Sequence, residues 1–467
     1  MRWCAGSGVA FPETAPPIGD LVTARCQSML SYRSTCRRTV AGALVVSSLA
    51  MTAGMALWIT PWTGLVLWSA KYLLSLLCLA IAAVASLVAI GGLIGLHRDT
   101  MELSGRPYYS RWPRERSAGV FVRLRRRLLT LLSSSPARLR LWPGEWVKVR
   151  SFAEISATLD SEGRLDGLPF MSEMVPHCGQ RYRVFRRVEK IHYYFGPVAP
   201  HLRRLRDSVS LENLRCDGSV HGGCQAGCPM VWKEAWLVPS DISQADITKA
   251  VISSRLDQHA QRTTGDGEVR YVCQMTELPG ATTRLSWNDP RHYWRDLCSG
   301  NARLKPFLTA VALDLFNRAQ RRSGGPQVPY REPTDRKTTP KEVLDLQPGE
   351  LVRVKTKQAI EQTLNFDSKN RGLHFDREMH RFCGGEFRVA SVVRNIVDEA
   401  SGRMLAMKGS CIVLEGVSAT GEYIGLCPQN DLIFWREAWL ERVLPRSDAS
   451  LRREVSSHAA GSSRQPA

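Results

Sequence analysis

Residues 144–191 align without a gap on residues 349–396, at an offset of 205. Gly144-Glu145 matches Gly349-Glu350, and Gly167-Leu168-x-Phe170 matches Gly372-Leu373-x-Phe375. Glu173-Met174 and Cys178-Gly179 match Glu378-Met379 and Cys383-Gly384. The match resumes at an offset of 203, where Cys224 meets Cys427 and Trp232-Lys-Glu-Ala-Trp-Leu237 meets Trp435-Arg-Glu-Ala-Trp-Leu440. Internal self-similarity constrains a fold more than composition does, because each copy must build the same unit. The reading is two copies of one module, 143–238 and 348–443, joined by an insert and linker over 239–347.

Each copy opens on apolar residues at every second position, Trp146–Arg150 and Leu351–Lys355, the mark of a half-buried strand. Residues 153–159 and 358–364 suit a short helix, and Tyr182–Phe185 and Phe387–Ala390 a further strand. Short strands with glycine-rich turns point to a mainly β region of two SH3-like small-barrel modules, a fold that hosts many functions. In the insert, Ala245–Leu256 and Leu304–Arg321 read as helices and Tyr271–Glu277 as a strand. The tail from 444 to 467 reads as disordered.

Two apolar runs, Val40–Ile59 and Tyr72–Leu96, lie within 39–97, each about the 20 residues that a bilayer core requires. They predict an N-terminal transmembrane α-helical hairpin, after a disordered cytosolic segment over 1–38. Arg33, Arg37 and Arg38 precede it, and Arg98, Arg106 and Arg111 follow it, whereas the connecting loop holds only Lys71. Basic flanks stay cytoplasmic, which places both ends and the modules in the cytosol. Residues 98–142 form a basic juxtamembrane segment. Arg123, Arg125, Arg126 and Arg127 among leucines suit an interfacial helix on an anionic leaflet, with Trp112 and Trp142 at the headgroups. The net charge of +19 is therefore partly a membrane-flanking feature and weak evidence for nucleic acid.

Thirteen cysteines, an odd number, exclude complete intramolecular disulfide pairing. Five of the chain's metal-ligand candidates are Cys178, Cys216, His221, Cys224 and Cys228. The last four read C-x4-H-x2-C-x3-C, with glycines at 218, 222, 223 and 227. Thiolates and imidazole at short spacing are what zinc prefers. Cys178 and Cys224 recur in the second copy, whereas Cys228 aligns with Asp431. The favoured set is therefore Cys178, Cys216, His221 and Cys224 around a structural zinc, with Cys228 as substitute. Copy two has Ala419 and Ile424 at the positions of Cys216 and His221, so its site is degenerate.

The blocks LRCDG-x-x-HGGCQAGC-x3-WKEAWL and CGG…CP…WREAWL resemble an uncharacterised bacterial family with a duplicated module, over roughly 143–443. In similar sequences the second copy carries the Cys and His that this chain replaces. The resemblance implies architecture and ligands and no reaction. It places the chain in a bacterial inner membrane. No catalytic residue is assigned, and no phosphate-binding glycine loop of the G-x4-G-K-[ST] kind occurs. Glu234 and Glu437 read as structural carboxylates, paired with Arg183 and Arg388. The expected function is a membrane-anchored, cytosol-facing binding or scaffold protein that contacts lipid and a protein partner. The alternatives are a membrane-associated enzyme on a small molecule or glycan, or nucleic-acid binding through the basic segment.

Overall fold

The computed structural model describes residues 18–59, 65–103, 141–193, 201–240 and 254–443, apart from 266, 288 and 333. The basic run Arg123–Arg127, Trp112 and the tail lie outside these residues.

Helices α1 (Ile18–Ile59) and α2 (Leu65–Leu103) form an antiparallel hairpin. At 42 and 39 residues, and about 1.5 Å per residue, each is roughly 60 Å long. That is about twice the hydrocarbon thickness of a bilayer. Gln27–Leu57 and Ala70–Met101 are long and apolar enough to cross a membrane, and only 28% and 22% of their apolar windows are buried. The core helix of a soluble protein would be mostly covered. The outer half is held by small and hydroxyl side chains. Ser47 Oγ donates to the Ala82 carbonyl at 3.2 Å and lies 2.9 Å from Ser86 Oγ. Such contacts bring helices close where lipid supplies no hydrophobic drive.

The inner half is packed against protein. Tyr32, Cys36, Val40 and Ala89 share a buried cluster with Leu313, Phe316 and Val328. The apolar run that ends at Leu96 therefore has two causes. Residues up to about Ala89 face outward in number, and Gly91, Gly92 and Gly95 meet the helix Leu304–Arg322 and Val328. Arg98 forms an ion pair with Glu422 at 2.8 Å, and Tyr32 hydrogen-bonds Asp99.

The first module is a five-stranded antiparallel sheet of β1 (Trp146–Val149), β2 (Arg181–Arg187), β3 (Ser208–Arg215), β4 (Pro229–Lys233) and β5 (Leu237–Pro239), ordered β4-β3-β2-β1-β5. The second comprises β6 (Leu351–Val354), β7 (Glu386–Val397), β8 (Met404–Ser418), β9 (Leu432–Arg436) and β10 (Leu440–Arg442), ordered β9-β8-β7-β6-β10. The strand order is the same in both. In each, the last strand returns beside the first, pairing Val149 with Leu237 and Val354 with Leu440.

The tryptophan blocks explain both cores. Trp232, Trp236, Trp435 and Trp439 are fully buried. Trp236 Nε1 donates to Thr158 Oγ1 at 3.2 Å, and Trp439 Nε1 to Thr363 Oγ1 at 2.9 Å. Phe170 and Phe375 meet these rings edge-on. Glu234 Oε1 accepts the Leu141 N–H, and Glu437 Oε1 the Leu346 N–H, each at 3.1 Å. These carboxylates are structural, as expected, but their cation differs. Glu234 pairs with Arg187 at 2.5 Å, whereas Arg183 and Arg388 donate to the carbonyls of Gly144 and Gly349.

The insert holds α3 (Pro290–Cys298) and α4 (Leu304–Arg322). The expected strand over 271–277 stops at Tyr271. Beyond it, the Gln274 side chain bonds both backbone groups of Val231, at 2.8 and 2.7 Å. A side chain thus caps the edge that a strand would have extended.

The modules grip each other reciprocally. Cys224 Sγ accepts the Val397 N–H at 3.3 Å, and Gln225 bonds the backbone of Arg394 and Asn395. From the other side, Cys427 Sγ lies 3.2 Å from His192 Nδ1, and Lys190 donates to the Gly425 carbonyl. His192 is the residue that aligns with Val397.

Candidate metal centre

The loop from Cys216 to Cys228 is shaped by its backbone. Gly218 has φ +70°, and a Cβ there would strike the Cys224 carbonyl. Only glycine fits such a turn without strain. The His221 and Gly223 N–H groups donate to the Gly218 carbonyl, both at 3.0 Å, and the Cys224 N–H to the His221 carbonyl at 3.2 Å. The Cys216 N–H closes the base on the Cys228 carbonyl at 2.9 Å. Gly421, Ile424, Leu426 and Cys427 repeat this knuckle in the second module.

The knuckle brings Cys216 and His221 to Glu173, which sits on the 3-10 turn Ser172–His177. One ligand atom from each lies within 4.8 Å of the others. His221 Nδ1 is 2.8 Å from Glu173 Oε1, and Cys216 Sγ is 3.9 Å from that nitrogen and 3.8 Å from that oxygen. The Glu173 and His221 side chains are only 1% and 2% exposed.

The hydrogen-bond inventory makes this arrangement chemically demanding. His221 Nε2 lies 3.1 Å from the Val272 carbonyl, which can only accept, so this nitrogen carries a proton. Nδ1 then meets the carboxylate as the partner of a buried ion pair when the ring is protonated, and as acceptor against acceptor when it is neutral. Among the described residues, the buried Glu173 Oε2 has no hydrogen-bond partner. Burial, then the Glu173 charge, pushes the Cys216 thiol well above its usual range. A cation among these three groups would satisfy all of them. An imidazole that donates its far N–H to a backbone carbonyl is the usual second-shell arrangement of a metal-bound histidine.

A cavity of about 30 Å³ adjoins the group, bordered by Cys216, His221, Cys224, Cys228 and Cys273. It exceeds the roughly 10–15 Å³ that one water-sized occupant needs. Of the five sequence candidates, Cys216 and His221 belong to the three-residue group. Cys224 and Cys228 line the cavity beside it. Cys178 belongs to neither; it ends the 3-10 turn, packs in the hydrophobic core, and burial pushes its thiol up to about 11. Glu173 and Cys273 went unread as ligands in the sequence. Glu173 had one signal, its identity with Glu378 in the aligned Glu-Met pair of the two copies.

Glu378 shows what this carboxylate does without metal ligands nearby. Its Oε2 accepts the Thr420 N–H at 3.0 Å and hydroxyl at 2.7 Å, and its Oε1 accepts the Tyr423 N–H at 3.0 Å. Arg381 donates to Thr420 Oγ1 at 2.8 Å. Cys427 instead faces His192, whose other nitrogen is 3.2 Å from Asp431 Oδ2. Burial opposes charge on His192, but Cys427 and Asp431 outweigh it and raise its pKa. The order thiol–imidazole–carboxylate resembles a nucleophile with its base, yet Cys427 is 2% exposed and packed with Leu202 and Ile424.

Trp142, expected at the headgroups, stands half-buried just before β1, its backbone N–H donating to Glu145 Oε2 at 3.0 Å. No family model, curated protein or solved structure matches this chain.

Proposed function

We propose that this protein is a membrane-anchored binding or scaffold protein whose soluble modules face the bacterial cytosol and whose first module carries a structural zinc. The observation that carries the metal is the buried Glu173 carboxylate, with one oxygen unpartnered among the described residues and the other beside the His221 Nδ1 and Cys216 Sγ ligand atoms. Glu173, Cys216 and His221 would supply three ligands. A fourth, from Cys224, Cys228 or Cys273 across the cavity, would close a tetrahedral shell. Each module is read as an SH3-like small barrel, supported by five antiparallel strands with the last returned to the first. The orientation rests on the arginine flanks and on the Arg98–Glu422 ion pair, which ties the inner end of α2 to the second module. A protein is the proposed partner.

Elemental analysis of the full-length protein, purified without chelator, tests the metal. One zinc per chain is expected, and its absence sinks the site. X-ray absorption then separates the readings: two or more sulfur ligands mark a closed structural shell. A single sulfur with a bound water would favour the enzyme, because an open position is where catalytic zinc activates water. A reporter fused to the C-terminus checks orientation, and periplasmic activity would reverse it.

A further inference from the structure

Helix α4 is apolar on two faces. One face, with Ala312, Leu313, Phe316 and Gln320, is buried. A Cβ on Gly91 would strike the Ala312 carbonyl, and one on Gly92 would sit 2.7 Å from the Phe316 ring. The second face carries Leu304, Leu308, Val311 and Leu315 at helical spacing. Leu304 and Leu308 are 60% and 44% exposed, and Val311 and Leu315 are half-buried. A soluble helix would present polar residues here.

The contacts fix which way α4 runs. In the hairpin, Ser47 meets Ala82, Val40 lies beside Gly92, and Tyr32 bonds Asp99. Rising numbers in α2 therefore lead away from the hairpin tip. Ala312 and Phe316 touch α2 at Gly91, whereas Gln320 reaches Thr39 and Cys36 on α1, roughly half a turn to a turn and a half farther from the tip. Traced backwards, α4 climbs toward the tip. Its first turns therefore lie tipward of Gly91, on the side where Ile81 and Val84 of α2 face outward, 43% and 50% exposed. Lys305, exposed beside Leu304, can bury its stem and raise its ammonium among phosphates.

We propose that the N-terminal half of α4 lies in the headgroup–acyl boundary of the nearer leaflet, with Leu304, Leu308 and Val311 against phospholipid. This adds a monotopic contact to the anchor, and it rests on the reading that α1 and α2 span the bilayer. The occupant is argued from continuity: the exposed stripe extends the outward apolar surface of the hairpin.

The test places a photo-crosslinking phenylalanine analogue at Leu308, Met51 or Phe366 of the full-length protein in phospholipid nanodiscs. All three positions are exposed and accept a bulky ring. Mass spectrometry should find lipid adducts at 51 and 308 and none at 366, which lies on the second module. An adduct at 51 without one at 308 overturns the α4 contact and leaves the spans standing. Absence at both positions overturns the contact together with the spanning reading. A protein crosslink at 308, or lipid adducts at 366 as abundant as at 308, also overturns it.

Discussion

One substitution, made at the two aligned carboxylates, should give opposite results. In copy two, Glu378 accepts two backbone N–H groups and a hydroxyl. Glu378→Gln replaces one of those oxygens with an amide nitrogen. At least one buried N–H then faces a donor, which costs about 1–3 kcal/mol. For a module of about 95 residues, about 2 kcal/mol corresponds to a midpoint lowered by roughly 8–16 °C. In copy one, Glu173 Oε2 has no partner among the described residues, and Oε1 meets His221 Nδ1 and the Cys216 thiol. Glu173→Gln removes a buried charge, and its amide can still meet both groups. The metal-free protein should change by less than about 1 kcal/mol in either direction. Metal reverses the ranking. Zinc at 1,000 times its dissociation constant stabilises the native state by about 4 kcal/mol, and Glu173→Gln should lose most of that gain while Glu378→Gln keeps it. The assay is thermal unfolding followed by tryptophan fluorescence, with and without zinc, in detergent. An equal zinc-induced shift in wild type and Glu173→Gln would refute the ligand role. A metal-free Glu173→Gln as damaged as Glu378→Gln would refute the claim that Glu173, unlike Glu378, bonds no backbone N–H group.

Other predictions use the same readout. Gly218→Ala and Gly421→Ala each drive a Cβ into a backbone carbonyl at positive φ, and should cost more than about 2 kcal/mol. Gly223→Ala, at φ +75° with open space around it, should cost about 1 kcal/mol; equal effects would deny the knuckle its tight turn. Trp439→Ala should cost about 3–5 kcal/mol, and Trp439→Phe, which orphans the Thr363 bond, about 1–2. Near Lys190, burial and then the lysine push His292 down to about 4, while burial, against Lys190, pushes Asp296 up to about 6. A lowered histidine adds stability that is present above its usual pKa and lost as pH falls toward 4. A raised aspartate adds stability that is present below its usual pKa and lost as pH rises through 6. The two slopes oppose each other between pH 4 and 6. His292→Gln should leave the aspartate slope, so stability falls with rising pH by at most about 3 kcal/mol, less solvent screening. A variant as flat as wild type would contradict this pairing.

Alternation and helical period made several elements legible. The strands at 146–150 and 351–355, and the helix from Leu304, formed where the pattern placed them. The patterns were silent on what covers an apolar face. The run to Leu96 reads as uniform lipid-facing sequence, yet its glycines meet another helix through backbone contact. Glu173 escaped because a ligand from a distant turn has no spacing relative to the C-x4-H-x2-C motif.

The misplaced weight on Cys178 has a more general cause. Cys178 and Cys383 both end a 3-10 turn and fill a core. Their recurrence therefore reports packing, which both copies need. Cys224 and Cys427 recur for a related reason, since each fits its knuckle against the opposite module. Chemistry shows where the copies differ. At one pair of positions Cys and His became Ala and Ile, and beside Ile424 the shared glutamate is satisfied by Thr420 and the Tyr423 backbone. The knuckle kept its glycine, its turn bonds and its position without those ligands. The second knuckle therefore forms its turn without them. In copy one, a bound cation would satisfy a carboxylate and an imidazole that the backbone has already brought together.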